Sequence, residues 1–372
     1  MPHQSSSHPK ERPSAKDVLA MLSEPRSLVM LGIIGALLLC VVGSFAYVGG
    51  WLSPGLLTPG RFVDGFEEVN GVHPGFRRNH AKGVCVGGYF ESNGKGARLS
   101  KASVFELGRV AVIGRFSLAG GQPFAADGPA AVRGFGLRFE PRHGEEWRTA
   151  MIDLPVFAVR TPEGFYEQLF AAKIDPATGK ADPAKVTAFV AAHPETTRAL
   201  AIIKAKPFSS GFADATFNGL NAFRFENAAG VSTYVRWSMV PVDAFAPEGP
   251  ANAQNKNYLF DAAIARIRRS PVQWHLIVTV GQPGDPTDDA TLPWPDTREH
   301  VDVGILTIDS VVDEAQGSCR DINFDPLVLP NGIAPSDDPL LSARSAVYSQ
   351  SFTRRADETK EPSAVTPAEI NQ

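Results

Sequence analysis

Two segments far apart in the chain decide its reading: Arg77-Arg78-Asn79-His80-Ala81-Lys82-Gly83 early in the globular region, and Arg344-Ser345-Ala346-Val347-Tyr348 near its end. In the first, a histidine beside a glycine turn can set an acid/base group over a bound ligand. In the second, an arginine and a tyrosine four apart share one face of a helix. A free phenol titrates near pH ~10, so a fixed cation one helical turn away is what would hold Tyr348 as a phenolate at neutral pH. Tyrosinate is one of the few protein ligands that bind haem iron.

Between these segments the chain reads as strands with interspersed helices. Residues 109–117 and 132–140 alternate apolar and polar around a Gly/Pro/Asp turn, and 147–160 predicts one or two further strands broken at Pro155. Residues 221–227 and 231–240 form a hairpin around Asn227-Ala228-Ala229-Gly230, and 272–282 and 301–313 add two strands. Helices are expected after the Thr161-Pro162 cap, after Asp182-Pro183 with a break near Pro194, and over 255–268. The 34 Gly and 30 Pro suit many turns. The fold class is α+β: a closed antiparallel barrel with surrounding helices.

A length of 372 residues supplies ample chain for a core, and a net charge of -4 with mixed signs argues against nucleic acid as a partner. Residues 28–48 carry no charge and are long enough to cross a bilayer, which needs about 20 apolar residues. This predicts a transmembrane helix over 27–50, preceded by a disordered cytoplasmic tail (1–26) whose Lys10, Arg12, Lys16 and Arg26 stay inside. A cleaved secretory signal is the alternative, since Ser44-Phe45-Ala46 is a passable cleavage site. The folded domain spans 55–356, and a polar, disordered tail follows over 357–372. Of three cysteines, Cys40 lies in the span, while Cys85 and Cys319 read as two buried free thiols, with pairing in an oxidising compartment as the alternative. Without C-x-x-C, C-x-x-C-H or a histidine cluster, zinc and covalently attached haem are disfavoured.

The motif Arg77-x-x-His80-Ala81-Lys82-Gly83 resembles the distal histidine motif of the haem catalase superfamily, specifically its small, membrane-anchored or exported catalase-related peroxidases. Gly114-Arg115-Phe116-Ser117 is similar to that family's Arg-Phe-Ser strand. Pro155-Val156-Phe157 is similar to the strand that follows its distal asparagine, and Arg344-x-x-x-Tyr348 to its proximal motif. Four motifs in order, over roughly residues 60–356, make a specific signal where each alone is weak.

The resemblance implies a catalase-like barrel binding haem b, with Tyr348 as the axial iron ligand and Arg344 stabilising its phenolate. His80 would sit on the opposite haem face and move a proton between the two oxygens of hydrogen peroxide, oriented by Ser117. Arg77, Arg115 and Arg355, with Arg354 as the alternative to the last, would pair with the haem carboxylates.

One departure matters: Ile152 stands where the family has its distal asparagine, and it cannot hydrogen-bond peroxide. The resemblance therefore implies a peroxidase with weak catalase activity at most, using peroxide and a small-molecule electron donor. It would be single-pass in the inner membrane, with the haem domain on the periplasmic side and the oligomeric state open. A lipid-hydroperoxide-rearranging haem enzyme and a non-catalytic haem- or small-ligand-binding barrel are the alternatives.

Overall fold

The structure is a computed structural model that describes residues 24–367 except 53, 54, 129, 142, 143 and 253. Most of the expected cytoplasmic tail, and residues 368–372 of the expected C-terminal one, lie outside the described residues. The chain forms two units, Met1–Thr58 and Pro59–Gln372.

In the first unit, helix α1 (Pro25–Val48) has 24 residues, about 36 Å of helix, and none of them is buried. Pro25 starts it where a missing N–H costs nothing, and the N–H of Gly49 closes it on the Phe45 carbonyl. By length and composition the helix can cross a membrane, a test that a signal sequence also passes.

The second unit begins with helix α2 (Pro59–Asn70), a segment that the sequence reading left without an element; Phe62, Val63 and Phe66 are its buried face. The strands that follow are β1 (Gly83–Ser92), β2 (Gly108–Leu118), β3 (Arg133–Glu140) and β4 (Trp147–Ile152). Helix α3 (Pro162–Ala171) starts on Thr161, whose Oγ1 accepts from Gly164 N. A short ribbon of β5 (Ile174–Asp175) and β6 (Lys180–Ala181) leads to α4 (Pro183–Ala192), which Asp182 caps, and Pro194 starts α5 (Pro194–Ala205).

The remaining elements are β7 (Phe217–Asn218), β8 (Phe223–Glu226), β9 (Ser232–Pro241), α6 (Tyr258–Arg269), β10 (Val272–Val280), β11 (Glu299–Val312), β12 (Ile333–Pro335) and α7 (Pro339–Ala356). At the β8/β9 turn, the Asn227 side chain accepts from Ala229 N and Val231 N. Gly230 takes the left-handed conformation that the turn requires (φ 77°).

Among the described residues, eight antiparallel strands close a barrel in the order β10-β11-β1-β2-β3-β4-β7-β9, and β9 pairs back to β10. Closure leaves these strands no free edge. The interior is filled by rings: Phe116 lies 4.5 Å from Phe135 and 4.9 Å from Phe212 between centroids, and Phe139 stacks on Trp147 at 4.8 Å.

Four expectations need correction. Gly83 opens strand β1 instead of a turn, because three glycines in GVCVGGYFES hid its alternation. Those glycines are required by packing: a Cβ on Gly88 would lie 1.9 Å from the Thr307 carbonyl oxygen, where the register with β11 shifts. The Pro155 segment is no strand, since β4 ends at Ile152 and Asp153 leaves the ladder to bind Arg133. Part of the tail over 357–367 is packed: Val365 is fully buried, and Glu358 is ion-paired to Arg78, while 359–362 are exposed.

The fourth concerns the thiols, for Cys85 and Cys319 form a disulfide. β11 returns beside β1 with Val312 opposite Cys85, and a turn closed by Gly317 N–H on the Asp313 carbonyl carries Cys319 back over it. A sequence separation of 234 residues hides this proximity completely.

Candidate active site

Alternation along a strand sends successive side chains to opposite faces. While Val112 and Phe116 of β2 pack inside the barrel, Arg115 and Ser117 point to its outer face. Register then builds a floor from three strands: Ser117 pairs with Gly134 and Gly134 with Ile152, while Arg115 pairs with Gly136 and Gly136 with Ala150. Gly134, Gly136 and Ala150 keep this floor low. A Cβ on Gly134 would lie 2.7 Å from Ser117 Oγ and 2.8 Å from His80 Nδ1, and one on Gly136 would lie 2.9 Å from the Phe324 ring.

Helix α7 supplies another wall. Arg344, Val347, Tyr348, Ser351, Phe352 and Arg355 recur at helical spacing and line one cavity of about 420 Å³ with the floor. Asp338 caps the helix by accepting from Leu340 N, and Pro339 opens it. Phe62 and Phe66 of α2, Phe157, and Phe165 of α3 extend the apolar lining.

The cavity gathers all eight residues singled out from the sequence: Arg77, His80, Arg115, Ser117, Ile152, Arg344, Tyr348 and Arg355. Arg354 lies elsewhere in its bonding, held by Asp64 and Glu67.

His80 is held with unusual backbone geometry. Its φ of 55° is left-handed, a conformation that costs a residue with a Cβ about 1–2 kcal/mol. Asn79 offsets that strain by accepting from both His80 N and Gly120 N at 2.9 Å, and Arg115 donates to the His80 and Ala81 carbonyls at 2.8 and 3.1 Å. The ring shares a hydrogen bond with Ser117 Oγ through Nδ1 at 3.1 Å. Burial, then the charges of Arg115, Arg344 and Arg77, push its pKa down to about 3, so the imidazole is neutral at pH 7. Asn79→Ala is expected to lower unfolding free energy by about 2 kcal/mol, read by chemical denaturation, because it strips two backbone donors of their acceptor while the strain remains.

The charge balance is lopsided. Five arginines line the cavity, Arg77, Arg78, Arg115, Arg344 and Arg355, with no Asp or Glu among the described lining residues. Arg78 is neutralised by Glu67 and Glu358. Arg115 holds the buried Glu314 through two bonds of 2.7 and 3.1 Å. Burial alone would raise the Glu314 carboxyl, but Arg115, Arg77 and Arg355 outweigh it and hold the group below its ordinary value.

Arg77 instead donates to three carbonyls, those of Cys319, Arg320 and Ile322, and its buried Nε has no partner among the described residues. Burial and its neighbours Arg355 and Arg115 push its pKa well below the ordinary value, and burial with Arg115 lowers Arg355 to about 10. One carboxylate among Arg77, Arg115 and Arg355 leaves positive charge that a bound anion can neutralise.

Arg344 bridges wall and floor by donating to Asn221 Oδ1 and to the Ala150 carbonyl; Asn221 in turn donates to Asp338. Neither Arg344 bond goes to Tyr348, the contact expected from their spacing. Asp153, adjacent to Ile152, faces away and is buried against Arg133. Asn79, Glu314, Asn221 and Asp338 were not read from the sequence as site residues. Only Asn79 had a signal, its place inside the histidine motif.

The closed eight-stranded barrel with its surrounding helices has the fold of solved catalases. A bacterial catalase superimposes with a TM-score of 0.68 at 20% identity over 81% of this chain and 60% of that one. Catalase A from Saccharomyces cerevisiae gives 0.68 at 20% identity over 81% and 65%. The chain belongs to the catalase family, whose family model matches residues 62–361. It is 39% identical over 301 residues to the catalase-related peroxidase of Synechococcus elongatus, covering 80% of this chain and 89% of that protein. The catalase-related peroxidase of Mycolicibacterium paratuberculosis is 31% identical over 304 residues, covering 81% and 96%.

Proposed function

We propose that the chain, by family an oxidoreductase acting on peroxide, is a haem-dependent peroxidase that reduces hydrogen peroxide or small organic peroxides with an external donor. The observation that carries this reading is a single cavity lined by a neutral imidazole, a tyrosine and a cluster of arginines short of counter-charge.

The residues fit haem b. A floor with nothing larger than a methyl at Gly134, Gly136 and Ala150 suits a flat macrocycle, and the under-neutralised Arg77, Arg115 and Arg355 suit its two carboxylates. Tyr348 would ligate the iron, Arg344 lines the same cavity one helical turn away, and the haem when bound supplies the redox chemistry.

Proton movement falls to the chain itself. In the tautomer that donates Nδ1–H to Ser117, His80 keeps the Nε2 lone pair, which takes the proton from one peroxide oxygen and returns it to the other, so that the departing oxygen leaves as water. Ile152 offers hydrocarbon where a second peroxide would need a donor, which favours an external reductant over dismutation. Ile152→Asn is therefore expected to raise donor-free oxygen evolution about tenfold, the scale of one added hydrogen bond. Rapid oxygen evolution by the wild type, measured with an oxygen electrode, overturns this account of Ile152.

In the same proposal α1 anchors the enzyme in the inner membrane, with the haem domain outside the cytoplasm. The four basic residues preceding the span support that orientation. So does the Cys85–Cys319 disulfide, a bond that persists in oxidising compartments. Cysteine-labelling of the folded chain before and after reduction, in intact cells and in lysate, tests it: Cys85 and Cys319 labelled only after reduction, and then from outside intact cells, are expected, and free thiols at these two positions on a cytoplasmic domain contradict it.

A further inference from the structure

We infer that the Cys85–Cys319 disulfide is a positioning element for the carboxylate-binding arginines, beyond any role as a staple of the fold; the inference rests on the haem reading above. Cys85 sits in β1 directly across from Arg115 of β2, at the edge of the arginine cluster. The segment that Cys319 belongs to has almost no regular structure, only a single tight turn over Ser318–Asp321. Yet its carbonyls orient two of the three guanidiniums. Cys319, Arg320 and Ile322 accept from Arg77 Nη2 at 3.1, 3.4 and 2.8 Å, and the Arg320 carbonyl also accepts from Arg355 Nη1.

The disulfide is the covalent tie on the segment that carries these carbonyls. A Cβ on Gly317 would lie 2.6 Å from both Cβ and Sγ of Cys85, so the turn lies directly on the bridge. Cys85, Cys319, Ile322 and Phe324 form a small apolar cluster of their own, and Phe324 reaches the cavity against Gly136. Other ties on the segment come from β4 and the C-terminal tail: Arg148 donates to the Asn323 carbonyl, Arg320 donates to the Glu361 carbonyl, and Lys360 pairs with Asp321 at the exposed surface. Exposed pairs of that kind hold geometry weakly. Carbonyl acceptors orient a guanidinium without neutralising it, so Arg77 and Arg355 stay aimed and charged for an anionic ligand.

A staple and a positioning element differ in one readout, the preference for a ligand with free carboxylates. The full-length chain in detergent is stripped of haem and titrated by absorption with haem and with haem dimethyl ester, as wild type and as the Cys85→Ala/Cys319→Ala double variant. Wild type is expected to prefer the diacid by about 100-fold, as two charge-assisted pairs allow. The double variant should lose about tenfold of that preference, the scale of one such pair, while its affinity for the ester is unchanged.

Equal weakening toward both ligands, or an unchanged preference, makes the bridge a staple only and overturns the inference while leaving the haem reading intact. A wild type that binds haem without preferring the diacid overturns the arginine assignment and the inference with it, and a wild type that binds no haem overturns the proposed function itself. If the double variant does not fold, the same preference is measured on folded wild type reduced with a phosphine and checked for two new titratable thiols beyond that of the free Cys40.

Discussion

His80→Ala is expected to slow peroxide cleavage by about 10²- to 10⁴-fold, the span that a well-placed general acid/base contributes. The residue has the features the step demands: it is neutral because burial and three nearby arginines push its pKa down to about 3, and its orientation is fixed by Ser117, Asn79 and Arg115. Stopped-flow consumption of hydrogen peroxide by haem-loaded protein reads the rate, while the haem spectrum reports whether binding survives, as it should. The sign of the pH dependence follows from the same shift. A base with a depressed pKa is fully available above it and is lost as pH falls through it, so the wild-type step should be flat from about pH 5 to 8 and fail toward pH 3. A titration centred near the ordinary histidine range contradicts the assigned electrostatics.

Arg115→Leu is the substitution with the largest expected effect on stability, a loss of about 3–5 kcal/mol in chemical denaturation. Side chains of Arg115 and Glu314 are only 3% and 6% exposed, so removing the guanidinium strands a buried carboxylate. It also removes two donors from the carbonyls of His80 and Ala81, loosening the strained turn that aims the imidazole. Much of the loss is the penalty on Glu314 itself. Arg115→Leu/Glu314→Leu should accordingly recover a large part of it, because replacing a whole buried pair by hydrocarbon is far less costly than breaking it. A double variant as unstable as the single one would mean that the turn, and not the stranded charge, dominates.

The way these residues were or were not legible in the sequence has a physical cause. Arg115 and Ser117 stood out because strand alternation and a local motif are written in consecutive residues, as are the caps at Thr161 and Asp182. Glu314 did not, since only the pairing of β11 with β1 carries its segment to the Arg115 side chain, 199 residues away in sequence. The disulfide was misread for the same reason. Strand β1 was missed because Gly87 and Gly88, demanded by the close approach of β11, erase the period-two signal on which strand recognition depends. Arg344 was found through its spacing from Tyr348, yet its hydrogen bonds run to Asn221 and the Ala150 carbonyl, partners that helical periodicity cannot reveal.

The most direct test of the central claim is the absorption spectrum of the full-length chain with haem, compared with that of Tyr348→Phe. The account predicts one haem per chain in the wild type and a clear change in the haem bands when the tyrosine oxygen is removed. A wild type that takes up no haem, or a Tyr348→Phe spectrum indistinguishable from it, contradicts the account.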